Sequence, residues 1–152
     1  MSPRGWASGD NRVSPMWLSH HYPGDYGRCV LIGRTRVCRR CLVLYLVAFS
    51  VLGLAQAGLR WPASLDPMLL LLLPLPAVME FVLEHVGAIG YRPVAQAVVT
   101  IPLGAALGVG FQRYLDRHTD PLFWGTVVVY GGVCFAALVV GVRRSANSKN
   151  PE

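Results

Sequence analysis

The chain has 152 residues, of which 53% are hydrophobic and only 14% charged, and its formal net charge is +6. Soluble domains usually carry about 25% charged residues, so the composition predicts a single-domain integral membrane protein and argues against an ordinary soluble domain. The arginines flank apolar segments, so membrane topology explains them better than nucleic-acid binding, and no nucleic-acid partner is expected.

The two ends of the chain are hydrophilic. Residues 1–17 are rich in Gly, Ser, Pro and Arg and contain no apolar core, which predicts a flexible tail and argues against a cleavable signal peptide. Residues 143–152 are also polar and predict a disordered tail. The region between them, residues 18–142, is expected to form the membrane domain.

Four apolar runs predict four transmembrane helices joined by short loops, an all-α membrane fold. Each run approaches or exceeds the length that a helix needs to cross a bilayer at about 1.5 Å per residue. Two prolines, Pro74 and Pro76, are expected to kink the second helix because each removes a backbone donor. The predicted spans are residues 42–59, 65–86, 94–115 and 122–142.

The third run carries a stripe of small and polar residues at every fourth position, which places them on one face of a helix. Gly104 and Gly108 in this stripe permit close helix contact, either within the chain or with a partner protein or second copy. The stripe comprises Gln96, Thr100, Gly104, Gly108 and Gln112.

The basic residues also predict an orientation. With the N-terminus in the cytoplasm, eleven of the fourteen Lys and Arg residues lie on the inner side and three, Arg60, Arg113 and Arg117, on the outer side. The positive-inside rule therefore places both termini in the cytoplasm of a multi-pass protein of the plasma or inner membrane.

Residues 20–41, the cysteine knuckle, precede the first span on its cytoplasmic side. Cys38 and Cys41 form a C-x-x-C pair, and Cys29 lies nine residues before Cys38. With His20 or His21 they supply three sulfurs and one imidazole, a set that zinc accepts in closed structural sites. Ordinary thiols and a redox or disulfide pair are the alternatives, although the cytoplasm disfavours a permanent disulfide. The knuckle contains neither the four-cysteine set that usually holds an iron–sulfur cluster nor a CxxCH haem-attachment motif.

The layout of the knuckle resembles a family of prokaryotic membrane proteins known as domain of unknown function 2085. The resemblance is carried by His20-x-x-Pro23 and by Cys38-Arg39-Arg40-Cys41 leading into an apolar helix, and it covers roughly residues 18–115. Ser19 stands where the family usually has its first cysteine, whereas Cys29 is additional, so a three-Cys, one-His set survives. The resemblance favours His20 over His21 as a ligand and implies metal binding, but it implies no activity.

Three ionisable residues, Glu80, Glu84 and His85, lie near the cytoplasmic end of the second run and are the catalytic candidates. Carboxylates inside a membrane usually face a partner or a water-filled cavity. Glu80 could be a general base or metal ligand in a polar cavity, or it could form a structural ion pair with Arg39, Arg40 or Arg92. Glu84 and His85 could instead be solvated at the interface.

The sequence therefore predicts a four-helix membrane protein with a structural zinc site, acting as an accessory subunit that binds a protein partner or membrane lipid. The alternatives are a metal- or thiol-dependent membrane enzyme that uses Glu80 or Glu84, and a small metal or solute transporter. The chain contains no HExxH, GxSxG or P-loop motif, which disfavours the enzyme.

Overall fold

The computed structural model describes residues 27–149, with their side chains as far as Arg144. The predicted N-terminal tail and the candidate ligands His20 and His21 lie outside the described residues. The chain divides into two units, one ending at Arg39 and the other beginning at Arg40.

The described part of the first unit is a β-hairpin. Strands β1 (Cys29–Ile32) and β2 (Thr35–Cys38) pair in antiparallel register around a two-residue loop. Gly33 opens this loop at φ +62°, a conformation that suits glycine at the first central position of a type II′ turn. This two-stranded sheet was not predicted, so an all-α fold is too simple a description of the chain.

The second unit is built from helices. An α-helix, α1 (Arg39–Gln56), crosses the unit boundary at its first residue. A short 3-10 turn, Ala63–Leu65, precedes α2, and four further helices follow. They are α2 (Asp66–Leu72), α3 (Leu75–His85), α4 (Pro93–Asp116) and α5 (Pro121–Lys149).

Four helical stretches are long and apolar enough to cross a membrane: Arg39–Gln56, Ala63–His85, Pro93–Asp116 and Pro121–Arg144. They match the four predicted spans to within a few residues. Helix α5, which forms the fourth span, continues to Lys149, into the segment predicted to be a disordered tail. Large apolar side chains such as Val128 and Phe135 on α5 are 70% and 68% exposed, as expected of a helix that faces lipid.

The second span is interrupted where the prolines predicted a kink. Helix α2 ends at Leu72 and α3 begins at Leu75, with Pro74 at its N-cap. Beside this interruption, the hydroxyl of Tyr130 on α5 donates to the carbonyl of Leu71 in the last turn of α2. A neighbouring helix thus satisfies the exposed backbone, as a bilayer interior requires.

The stripe on α4 faces α1 of the same chain. A Cβ added to Gly104 would lie 2.8 Å from Val47 Cβ, and one added to Gly108 would lie 2.7 Å from both the Ala48 carbonyl oxygen and Val51 Cβ. Glycine is therefore required for this close approach. A partner or second copy on this face stays a prediction, and it would have to share the face with α1.

Candidate functional site

The hairpin brings two of the predicted metal ligands together. Cys29 on β1 is the register partner of Cys38 on β2, and paired positions in an antiparallel ladder have Cα atoms about 4.5–5.5 Å apart with side chains on the same face. Cys38 is buried and Cys29 half-buried. The sequence spacing of nine residues did not reveal this pairing, because it depends on the strand register around the turn at Gly33.

The third cysteine, Cys41, lies in the first turn of α1 and belongs to the helical unit. All four cysteines lie within residues 27–149, and none of them forms a disulfide there. In this part of the chain no three His, Cys, Asp or Glu side chains are grouped so as to hold a metal ion. The expected fourth ligand, His20 or His21, is not described, so zinc binding stays a prediction.

Glu80 forms the ion pair that was considered as its structural role. Its Oε2 lies 3.6 Å from Nη2 of Arg40, and the two side chains are 12% and 20% exposed. The same Arg40 nitrogen donates to the carbonyl of Ala77 at 3.1 Å, and the guanidinium lies 5.5 Å from the centre of the Phe81 ring. Arg40 therefore links the start of α1 to α3, and its charge offsets the cost of placing Glu80 among apolar helices.

His85 is held against its own helix. Its Nδ1 lies 2.8 Å from the carbonyl oxygen of Phe81, and the two rings stack with centroids 3.9 Å apart. Because a carbonyl only accepts, Nδ1 carries the proton in this contact. Glu84, one residue earlier, is half-buried. These contacts give His85 a local structural role, and a catalytic role for Glu80, Glu84 or His85 stays a prediction.

At the opposite end of the helical unit, the structure reveals a charged cluster that the sequence analysis did not single out: Asp66, Arg113 and Asp120. Arg113 donates to Asp66 at 2.6 Å through Nη1 and to Asp120 at 3.0 and 2.7 Å through Nε and Nη2. Asp66 and Asp120 are only 6% and 5% exposed. One guanidinium thus joins the starts of α2 and α5 to the end of α4; we call these three residues the Arg113 cluster.

The carboxylates of this cluster have further partners. The indole Nε1 of Trp61 donates to Asp66 at 2.7 Å. Asp120 caps α5, since its Oδ1 accepts from the backbone N–H of Phe123 at 2.8 Å. The hydrogen bonds from Arg113 hold the pKa of Asp120 below its ordinary value, although burial acts in the opposite direction. Asp120 is therefore an ionised, fully engaged carboxylate.

Next to the Arg113 cluster lies a cavity of about 360 Å³. It is enclosed by the end of α1, the segment before α2, and the last turns of α4. Its charged lining consists of three arginines and three aspartates: Arg60, Arg113, Arg117, Asp66, Asp116 and Asp120. Within residues 27–149, this cavity and the cysteine hairpin are the candidate sites that we consider.

A sequence signal for the Arg113 cluster exists in retrospect. Asp66-Pro67 and Asp120-Pro121 are the two Asp-Pro dipeptides of the chain, and each starts a predicted span. In an up-and-down bundle the second and fourth helices start at the end where the third helix finishes, and there the third span carries Arg113. Arg113 was considered only as one of the three basic residues on the outer side, so its pairing with Asp66 and Asp120 was not predicted.

Comparison of the chain with protein-family models, curated proteins and solved structures gives no match. The resemblance to domain of unknown function 2085 therefore stays a prediction that rests on the residues of the knuckle alone.

Proposed function

We propose that this protein is a multi-pass membrane protein whose cysteine knuckle binds one structural zinc ion and serves as an accessory module. The ligands are Cys29, Cys38, Cys41 and one of His20 and His21. The observation that supports this best is the pairing of Cys29 with Cys38 across the hairpin. Two thiols at paired positions of one hairpin would supply two of the four ligands of a tetrahedral site.

The remaining ligands follow from sequence distance. Cys41 comes three residues after Cys38, a spacing typical of paired zinc ligands. Arg28, Arg36 and Arg39 lie within three residues of a cysteine, and nearby cations favour the thiolate form that binds metal. Because Cys3His fills all four tetrahedral positions, the ion would stabilise the knuckle and would have no open position for catalysis.

The arginines of the knuckle suggest what the module contacts. Arg28, Arg34, Arg36 and Arg39 fall within twelve residues that contain no acidic side chain. On the cytoplasmic side of a membrane, such a segment attracts anionic lipid or an acidic partner protein, at roughly 1 kcal/mol per basic residue near the surface. Zinc would hold this basic segment in a fixed conformation at the start of α1.

A redox role is the second candidate, and the same hairpin favours it. Disulfides usually join Cα atoms about 4.4–6.8 Å apart, a range that includes the cross-strand spacing expected for Cys29 and Cys38. A Cys29–Cys38 disulfide would leave Cys41 without a role, whereas zinc uses all three cysteines. The zinc proposal therefore accounts for more of the knuckle.

The metal content of the purified protein decides between these two functions. Elemental analysis of protein purified in detergent under reducing conditions should find about one zinc per chain. Cys38→Ser should lose zinc and thermal stability, because structural zinc contributes directly to folding free energy. Cys134→Ser, which alters the half-buried cysteine of α5, is the matched control and should retain both. Zinc-free wild type containing a Cys29–Cys38 disulfide would reject zinc in favour of the redox role.

A further inference from the structure

We propose that the cavity beside the Arg113 cluster binds the headgroup of a zwitterionic phospholipid that carries a phosphate and a primary ammonium group. This proposal is independent of the zinc site. It starts from where the cavity lies: α1 ends at Gln56, α2 begins at Asp66 and α4 ends at Asp116. Helix ends of a membrane bundle lie at the level of lipid headgroups, and Trp61 in the lining is typical of that level.

The charges that remain available to a ligand are at the rim of the cavity. The charge of Arg113 is balanced by Asp66 and Asp120, which it contacts through all three of its nitrogens, so these three residues line the cavity as an internally paired group. Arg117 is exposed, and within residues 27–149 no salt bridge engages its side chain. Arg60 is 55% exposed; its Nη1 has a long contact of 3.8 Å with Asp116, and its Nε donates to the carbonyl of Ala55 at 3.4 Å.

Two arginines at one rim suit a phosphate, because a guanidinium offers paired donors that match phosphate oxygens. Asp116 gives the same rim one carboxylate. Its Oδ1 accepts from Gln112 at 3.0 Å, whereas its Oδ2 has only the long contact with Arg60. This oxygen is placed to accept a hydrogen bond from an ammonium group.

The balance of charge favours a zwitterion over an anion. The lining carries three arginines and three aspartates, so a ligand with a net negative charge would gain little from the cavity as a whole. A phosphate and an ammonium on one headgroup would meet the arginines and Asp116 separately. The volume of about 360 Å³ falls at the lower end of the range for small-molecule sites, which suits a headgroup.

A second cleft lies where the first carbons of a lipid tail would follow the headgroup. It has a volume of about 130 Å³ and lies between α2, α4 and α5, with Leu70, Gly110 and Phe123 in its mainly apolar lining. Leu70 follows Asp66 by four positions, Gly110 precedes Arg113 by three, and Phe123 follows Asp120 by three. Each therefore lies about one helical turn from its partner in the Arg113 cluster. A polar cavity at the helix ends and an apolar cleft one turn deeper match the two parts of a phospholipid.

Native mass spectrometry of the full chain in detergent tests this assignment. Delipidated protein is titrated with phosphatidylethanolamine, phosphatidylglycerol and phosphatidylcholine that carry identical oleoyl chains. Phosphatidylethanolamine should bind about tenfold more tightly than the other two, because only it supplies both phosphate and N–H donors. Equal binding of all three lipids would overturn the proposal.

Two variants and one control locate the site. Arg117→Gln should weaken phosphatidylethanolamine binding about five- to tenfold, as expected for one lost charge-assisted contact. Asp116→Asn should remove the preference over phosphatidylcholine while keeping phosphate binding. Arg143→Gln changes an exposed arginine at the far end of α5 and should bind as wild type. If Arg117→Gln binds like Arg143→Gln, the cavity is not the site.

Soluble probes separate a lipid from a free headgroup. Glycerophosphoethanolamine and inorganic phosphate, each added in large excess, should displace little of the bound phosphatidylethanolamine, since neither can occupy the apolar cleft. Displacement by glycerophosphoethanolamine at the concentration at which the lipid itself competes would overturn the assignment to a lipid.

Discussion

The guanidinium of Arg113 contacts both carboxylate oxygens of Asp120, with Nε to Oδ1 at 3.0 Å and Nη2 to Oδ2 at 2.7 Å. This two-pronged geometry is the strong form of an arginine–carboxylate pair. The remaining nitrogen, Nη1, contacts Asp66, so removing the guanidinium would leave two buried carboxylates unpaired. The pairing makes Arg113 the residue on which the junction of α2, α4 and α5 depends.

Arg113→Gln should therefore destabilise the protein strongly, on the order of 3 kcal/mol, because breaking a buried pair leaves an uncompensated charge. Thermal unfolding in detergent measures the loss. Arg113→Lys should recover only part of it, since an ammonium cannot form the two-pronged contact. Arg143→Gln serves as the control and should be close to wild type.

A double variant isolates the pair. The double variant, Arg113→Gln with Asp120→Asn, lacks one of the charges that Arg113→Gln alone leaves unpaired. Its loss of unfolding free energy should therefore be smaller than the sum of the losses in the two single variants, by more than about 0.5 kcal/mol. Strict additivity would show that Arg113 and Asp120 do not interact in the membrane domain.

Asp120 also predicts how stability depends on pH. Its pKa in the folded protein is lowered by the hydrogen bonds from Arg113, whereas in the unfolded chain it is about 3.9. Above about pH 4 the carboxylate is ionised in both states, so its stabilisation is complete. As the pH falls below this value toward the folded pKa, the unfolded chain binds the proton first and the stabilisation is lost.

Melting temperatures measured between pH 7 and pH 3 test this dependence. The wild type should lose stability below about pH 4, and Asp120→Asn, already less stable at pH 7, should show a shallower loss. An identical acid-side slope in both proteins would contradict the role of this carboxylate.

The close contact of α1 and α4 gives a third prediction. A Cβ at position 108 would lie 2.7 Å from the Ala48 carbonyl oxygen, so Gly108→Ala should force the helices apart at a cost of about 1–3 kcal/mol. Gly132→Ala is the matched control, because nothing lies within 4 Å of its added Cβ. It should be neutral or slightly stabilising. Equal melting temperatures for the two variants would remove the glycine stripe from the packing of α1 on α4.

Orientation gives a fourth prediction. We propose that both termini lie in the cytoplasm, since eleven of fourteen basic residues fall on that side. Reporter fusions after Glu152 should be active as cytoplasmic reporters, and a cysteine at position 119, in the loop before Asp120, should react with an impermeant reagent from outside. A C-terminal reporter on the outer side would reverse the orientation of the knuckle.

The sequence was sufficient to predict the four spans, because hydrophobic length is a property of each segment alone. It was also sufficient for the interruption at Pro74 and the buried glycine stripe. The hairpin was not predicted because a single glycine such as Gly33 permits a turn without specifying which strands pair, although β-branched residues flank this glycine-led two-residue loop. The Arg113 cluster was missed because Asp66 and Asp120 lie 47 and 7 residues from Arg113 along the chain and meet it only through helix topology.

X-ray absorption at the zinc K-edge tests the central claim most directly, because it reports the ligand atoms themselves. For wild-type protein purified without chelators, we predict three sulfur neighbours at about 2.3 Å and one nitrogen at about 2.0 Å. Cys29→Ser should reduce the sulfur count or the zinc content, and Cys134→Ser should leave the spectrum unchanged. Protein without stoichiometric zinc, or zinc surrounded only by nitrogen and oxygen, would contradict the account.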